Sequence, residues 1–550
     1  MFIADSARRD AAPAAADPQT TAAGVPAPGE TAPGETAPGE TAAGAAAQRA
    51  ERLRRHAITP YADALDRYIA RNPTQLMVPG HGGSDLGLSA RLSEYLGERA
   101  LQLDVPMLLE GIDLEAHSAL DDALELAADA WGAKRTWFLT NGASQANRTA
   151  AIAARGLGEH LLAQRSAHSS FSDGVLLAGI TPSYVFPAVD TANGMAHGVS
   201  PEALDAALTL AEQEGRAAAA VYIISPSYFG SVSDVRGLAD VAHAHGAPLI
   251  VDGAWGPHFG FHPELPESPA RLGADLVISS THKLAGSLTQ TAMLHLGHGP
   301  FADRLEALVE RAFGMTASTS TSAIMRASLD IARSALVTGE AAIGRSVETA
   351  QRLREVLRAD PRFDIVSDHF DAFPDIVDTD LLRVPIDVSA TGLSGHWVRN
   401  QLITDHALYF EMSTATSIVA VIGAGKTPDV AEIHRALGAV VSSPAADAER
   451  AATAGSVEFP PMPAPGARRL SPREGFFGET EIVPAAEAIG RVSADTLAAY
   501  PPGIPNVMPG EEITAAAVEF LQAVAASPTG YVRGALDPRV ASFRVIRVEE

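Results

Sequence analysis

The chain has 550 residues, 41 Lys+Arg against 66 Asp+Glu, a formal net charge of −25 and no cysteine. Lacking cysteine, it can build no disulfide framework, no thiolate zinc or iron–sulfur centre and no thiol nucleophile, a composition that fits a cytoplasmic protein. The acidic balance argues against a general nucleic-acid or anionic-membrane binder.

Residues 1–50 are low in complexity, and Ala27 to Thr41 repeats Ala-Pro-Gly-Glu-Thr three times. With almost nothing to bury, this stretch is expected to be a disordered tail, and it has neither the apolar core nor the charged start of a secretory signal. No segment approaches the roughly 20 apolar residues of a membrane span. From about residue 57 to 299, helical spacing alternates with short apolar runs. Helices are expected at Ala119–Trp131 and Gly237–His245, and strands at Thr136–Leu139, Val221–Ile224, Pro248–Val251 and Leu276–Ser279. Helices between buried strands imply an α/β fold with a mainly parallel sheet, where ligands gather at the carboxyl ends of strands.

A long helical stretch, Ser322 to Leu357, leads into a second α/β segment. An Ala/Pro/Gly-rich linker follows at 446–469, and then a small unit around Tyr500-Pro-Pro-Gly-Ile-Pro505. The expected domains are therefore a tail at 1–50, a large domain at 51–335, a small α/β domain at 336–445, the linker, and a C-terminal α+β unit at 470–550.

Only three lysines occur, Lys134, Lys283 and Lys426, while arginine carries nearly all the positive charge. Arginine stays protonated and cannot form a Schiff base, so a retained lysine is a candidate for chemistry arginine cannot do. Lys134 precedes a strand and lies at the wrong end of the sheet. Lys426 follows Gly423-Ala-Gly425, but a phosphate-binding P-loop would need glycine at 420, where Ala420 stands. Lys283 closes Ser280-Thr-His-Lys283 at the end of the Leu276–Ser279 strand. There, burial and nearby positive charge would lower its pKa for attack on a carbonyl.

Two further strand ends match it. Thr140-Asn-Gly-Ala-Ser-Gln-Ala-Asn147 opens a helix whose free N–H groups favour a phosphate, with Ser144 as an added donor; taken alone it reads first as an ordinary turn capped by Ser144 or Asn141. Asp252 in Asp252-Gly-Ala-Trp255 can be a metal ligand, a general base, a helix cap or the partner of a protonated ring nitrogen. Together, an aspartate upstream of a strand-end lysine and a Gly/Ser phosphate turn form the set that pyridoxal phosphate requires. No metal site is assigned.

At these residues the sequence resembles the prokaryotic ornithine/lysine/arginine decarboxylase family, pyridoxal-phosphate enzymes of aspartate-aminotransferase-like fold (fold type I). The similarity runs from Thr59-Pro-Tyr61 and Pro79-Gly-His-Gly-Gly83 through the Thr140–Asn147 turn, Ala167-His-Ser-Ser170, Asp252–Trp255 and Ser279-Ser-Thr-His-Lys283. It continues with Ser318-Thr-Ser320, Ala327-Ser-Leu-Asp330, Tyr500–Pro505 and Pro509-Gly-Glu511.

The resemblance implies that Lys283 carries the cofactor, Asp252 pairs with its ring nitrogen and His168 stacks on one ring face. Ala254 would pack on the other face and Trp255 line the site. The phosphate would be held by the Gly142 and Ala143 amides with Ser144, Ser280 and His282, and Ser320 would reach a phosphate across a homodimer interface. The implied reaction is decarboxylation of a basic amino acid, lysine, arginine or ornithine, to an amine and CO₂. An aminotransferase, another lyase or a catalytically quiet cofactor-binding subunit are the alternatives. A cationic side chain needs an acidic partner, for which Glu481 and Asp113 are candidates. Asp104-Val-Pro-Met107 departs from the Asp-Leu-Thr-Glu of many members.

Overall fold

The computed structural model describes residues 42–452, 461–500, 502–527 and 530–547. The expected repeat tail as far as residue 41, and residues 453–460 of the expected linker, lie outside the described residues. The chain divides into two units, Met1–Glu51 and Arg52–Glu550. Residues 42–50, expected as disordered tail, instead open a helix, Ala42–His56. Its Ala-rich sequence combines high helix propensity with basic residues in the last turn, where they oppose the helix dipole.

The second unit is organised by a seven-stranded sheet: β1 (Arg135–Leu139), β2 (His160–Gln164), β3 (Thr181–Val185), β4 (Val221–Ile224), β5 (Leu249–Asp252), β6 (Leu276–Ser279) and β7 (Ala292–Leu296). Their spatial order is β1-β7-β6-β5-β4-β2-β3. From β6 to β3 every pairing is parallel, and β7 is inserted antiparallel between β6 and β1. β5, β6 and β7 are buried throughout, which explains their continuous apolar runs. The expected helix Ala119–Trp131 forms with those bounds. A Ser118/Asp121 capping box starts it, and Gly132 at φ 72° ends it.

The expected long helical stretch at Ser322–Leu357 is made of two helices, Ala323–Thr338 and Glu340–Arg358. Gly339 breaks it: a Cβ at that position would lie 2.3 Å from the Ala335 carbonyl oxygen. The small domain has a four-stranded sheet, Asp364–Ile365, Arg383–Asp387, Ser417–Val421 and Met412–Ser413 in spatial order. All its pairings are antiparallel, and the helices Gly395–His406 and Val430–Val441 belong to the same segment. The expected linker also begins later, because Pro444–Ala452 is helical.

In the C-terminal unit, Thr480–Pro484 pairs with Ser542–Ile546, and Leu497–Tyr500 lies between Pro505–Val507 and Tyr531–Arg533. The helix Ala515–Ala526 packs over a core that includes Phe520, Leu521 and Phe543. A buried fork ties this unit to the end of β2. Arg165 donates to both Glu511 oxygens at 2.5 and 2.7 Å and to the Pro505 carbonyl at 3.1 Å. Glu511, part of a motif noted in the sequence, thus anchors the unit through a bidentate charge-assisted pair.

Candidate active site

A cavity of about 440 Å³ lies at the carboxyl end of the sheet. The loops after β1, β2, β4, β5 and β6 all reach it, as the crevice rule for parallel sheets requires. Ten of the eleven site residues expected from the sequence line it: Gly142, Ala143, Ser144, His168, Asp252, Ala254, Trp255, Ser280, His282 and Lys283. Ser320 does not; it is exposed, and its amide bonds to the Ser318 hydroxyl.

Lys283 lies on a one-turn helix, Thr281–Leu284, directly after β6. Its Nζ stands 3.7 Å from the centroid of the Trp255 ring and makes no hydrogen bond among the described residues. Desolvation, helped by the nearby Arg383 guanidinium, brings its pKa down to about 8, while Asp252 and Glu411 oppose the shift. A fraction of the amine is therefore neutral near physiological pH, which a carbonyl-attacking lysine requires. The other two lysines are placed differently. Lys134 pairs with Asp303 at 2.5 Å and Glu306 at 3.1 Å on the surface, and Lys426 is an exposed turn residue whose carbonyl accepts from Ser346.

Asp252 ends β5 and is 5% exposed. Its Oδ2 accepts from the Tyr222 hydroxyl at 2.6 Å and from Asn147 Nδ2 at 3.2 Å, and Oδ1 accepts from the Ala254 amide at 3.1 Å. Three donors fix the carboxylate's position. Burial and the adjacent Asp252 charge keep the Tyr222 phenol far above its ordinary pKa, so it stays a donor. Sequence reasoning missed Tyr222, reading β4 as apolar; a tyrosine inside a fully buried run was the available signal.

The phosphate end is only partly as expected. Gly142 adopts φ 73°, and its N–H is already donated to the Gln290 carbonyl at 2.8 Å. It therefore shapes the turn and is not a free donor. The helix Gly142–Arg155 has no side-chain cap from Asn141, which leaves the Ala143 and Ser144 amides and the Ser144 hydroxyl facing the cavity end. His282 Nδ1–H donates to the Thr291 carbonyl at 2.9 Å, so Nε2 is its other polar atom. His168 is both cap and wall: its Nδ1 accepts from the Ser170 amide at 3.2 Å. Desolvation lowers its pKa, so the ring is neutral and suited to stacking on a cationic heterocycle.

Neither acidic candidate for a substrate tail is available. Asp113 pairs with Arg326 at 3.1 Å and is buried, and Glu481 pairs with Arg491 at 2.7 Å in the C-terminal unit. Two motifs singled out in the sequence do meet, since His81 Nε2 contacts Asp104 Oδ2 at 3.2 Å. Arg383 was also missed. It is fully buried, lies 3.9 Å from the Trp255 ring centroid and donates to the Tyr228 carbonyl.

A fixed buried carboxylate, a partly neutral lysine, a neutral stacking imidazole and a cluster of amide and hydroxyl donors fit the ring, aldehyde and phosphate of pyridoxal phosphate. On this mainly parallel sheet they define a pyridoxal-phosphate enzyme of fold type I. The Orn/Lys/Arg decarboxylase major domain matches residues 59–425, and that family's C-terminal domain matches residues 469–530. The chain belongs to this family. It is 32% identical to an arginine decarboxylase of Bacillus anthracis over 89% of this chain and 97% of that protein. With an arginine decarboxylase of Bacillus subtilis the identity is 31%, over 84% and 93%. The fold matches a lysine decarboxylase of Francisella novicida, LdcF, with TM-score 0.74 and 20% identity, covering 89% of this chain and 81% of that one. The protein is a pyridoxal-phosphate-dependent carboxy-lyase of basic amino acids.

Proposed function

We propose that the enzyme decarboxylates L-arginine, with Lys283 as the cofactor lysine and proton carrier. The observation that supports the site assignment is the Lys283 amine, desolvated and without a hydrogen-bond partner among the described residues, in the same cavity as a triply bonded Asp252. Arginine is supported by four relatives of 30–32% identity named arginine decarboxylases.

Pyridoxal phosphate, when bound, supplies an electron sink for the pair left at Cα as CO₂ departs. Asp252, held by Tyr222 and Asn147, would keep the ring nitrogen protonated, His168 and Ala254 would pack against the ring, and Ala143, Ser144, Ser280 and His282 would hold the phosphate. With the cofactor bound, Lys283 would be the residue that holds the proton delivered to Cα. Trp255 keeps water from that side.

A homodimer completes the proposal, with Ser320 serving the partner's phosphate end. Leu76, Val78, Leu86, Leu88, Tyr95 and Leu108 are exposed in one segment, a concentration of apolar surface that a second copy would cover. No helix of the described residues is long and apolar enough to cross a membrane; a cytoplasmic location rests on the cysteine-free composition. Incubation with arginine, lysine and ornithine separately tests the function. CO₂ and the matching amine should form fastest from arginine, whereas amino transfer to a keto acid without CO₂ would contradict it.

A further inference from the structure

Arg383 opens the small-domain strand Arg383–Asp387 and is fully buried, yet it is not among the residues that line the cofactor cavity. Its Nη1 donates to the Tyr228 carbonyl, while Nε and Nη2 have no hydrogen-bond partner among the described residues. The carboxylate beside it, Asp380, is committed elsewhere. Asp380 Oδ1 meets His258 Nε2 at 2.9 Å and accepts from the Leu382 amide at 3.0 Å, and Oδ2 stands 3.4 Å from Arg383 Nε. An under-bonded guanidinium in the interior costs stability, and Leu or Met would fill the space without that cost.

What the guanidinium does meet is an indole. Its Cζ lies 3.9 Å from the Trp255 ring centroid, and Lys283 Nζ lies 3.7 Å from the same centroid. One ring face has room for a single group at that height, so the indole is held between the two cations. Trp255 follows β5, Lys283 follows β6 and Arg383 comes from the small domain, so the stack joins two parts of the fold. Two further contacts fix it. Tyr228 packs edge-on against Trp255 with ring centroids 5.6 Å apart. Gly230, at φ 95°, lets the Tyr228 turn press onto the arginine stem, where a Cβ would lie 3.1 Å from Arg383 Cβ.

We propose that Arg383 is a positioning residue for the decarboxylation: seated from the small domain on the rear face of Trp255, it holds the indole against Lys283 and sets a fixed positive charge behind it. This rests on Lys283 as the cofactor lysine. An ammonium over an indole is stabilised by the ring's electron density. A guanidinium on the opposite face draws on the same density and repels the ammonium across it, so the neutral amine is favoured. Burial brings the Arg383 pKa down only to about 10, which leaves it charged at neutral pH.

The other ionisable groups facing Lys283 are Asp252 at the end of β5, Glu411 from the small domain, His168 after β2 and Tyr228 after β4, with His282 on its own turn. Burial is the larger cause of the low Lys283 pKa. Asp252 and Glu411 work against it, and Arg383 works with it.

The three lysines can be titrated separately in full-length apo-enzyme that regains its cofactor absorption when reloaded. Brief acetic anhydride pulses across a pH series are read on each lysine's peptide by mass spectrometry, with Lys134 and Lys426 as internal references. Parent Lys283 should reach half-maximal acetylation near pH 8. In Arg383→Met and Arg383→Gln, which keep bulk without charge, that midpoint should rise by roughly one pH unit while the reference lysines stay put. Arg383→Lys, which restores a charge, should bring it back towards the parent. A purely structural role would lower the yield of folded protein and leave the Lys283 midpoint where it was. An unmoved midpoint in the folded neutral variants would therefore overturn the proposal, as would a parent midpoint near the ordinary lysine value of 10.5. If borohydride fixes the pyridoxyl label on another lysine while the midpoint still shifts, the cofactor assignment fails and the coupling of Arg383 to Lys283 stands.

Discussion

Two buried pairings of a basic residue with aspartate show the difference between holding a fold and running a reaction. Asp330 and Arg333, both fully buried, meet at 2.6 Å. Arg333 also donates to the His56 and Ile58 carbonyls at 2.6 and 2.7 Å, and Asp330 accepts from the Tyr61 amide at 3.0 Å. This pair joins the segment around Thr59 to the helix Ala323–Thr338 and leaves little unsatisfied. At Asp252 and Lys283 the carboxylate is equally well bonded, but the lysine rests on the Trp255 face with no hydrogen bond among the described residues. Desolvation without a bonded partner leaves an amine pKa of about 8. A charge paired with its opposite makes a clamp; a withheld partner makes a nucleophile.

Lys283→Ala is the strongest way to break the contrast, and it should reduce turnover by more than roughly a thousandfold while leaving the melting temperature nearly unchanged. Asp330→Asn should do the reverse. Leaving Arg333 buried without its counter-charge should cost on the order of 3–5 kcal/mol, read by chemical denaturation, with the cofactor spectrum intact in the folded fraction. A Lys283 variant that unfolds, or an Asp330 variant that folds normally but is inactive, would merge the two classes.

Tyr222→Phe probes the supports of Asp252. Losing a hydrogen bond to a charged group should lower kcat by about tenfold, with KM for arginine little changed. The pH dependence of cofactor uptake is a gentler test. The folded-state Lys283 pKa is depressed, so its reactive neutral form grows as pH rises and saturates above it. The rate of cofactor incorporation into apo-enzyme should therefore climb through about pH 8 and level off. A climb that continued towards pH 10.5 would show an ordinary lysine. The smallest effect is expected from deleting residues 1–41, whose composition offers no core, and turnover and melting temperature should hold. Deletion to residue 57 should destabilise, because it removes the His56–Asp129 contact at 2.6 Å and the carbonyl that Arg333 binds.

The cofactor end was readable because parallel strands are continuous apolar runs and ligands meet the polar residues that follow them. Asp252, Ser280, His282 and Lys283 each follow or end such a run. The fold type was readable for the same reason. Tyr222 was not, since its hydroxyl gains meaning only from the parallel pairing that sets β4 beside β5. Gly142 was half readable: the turn could be seen, but not that Gln290, far along the chain, consumes its amide. The cavity that His197, Tyr500 and Tyr531 line together was least legible, because the Tyr500–Pro505 motif could be seen but only the docking of the C-terminal unit brings these separated residues to one wall.

With three lysines in the chain, one measurement addresses the central assignment directly. Holoenzyme reduced with borohydride and digested should carry its pyridoxyl label on the peptide containing Lys283 and on no other. A label on Lys134 or Lys426, or a reduced enzyme with none, would contradict it.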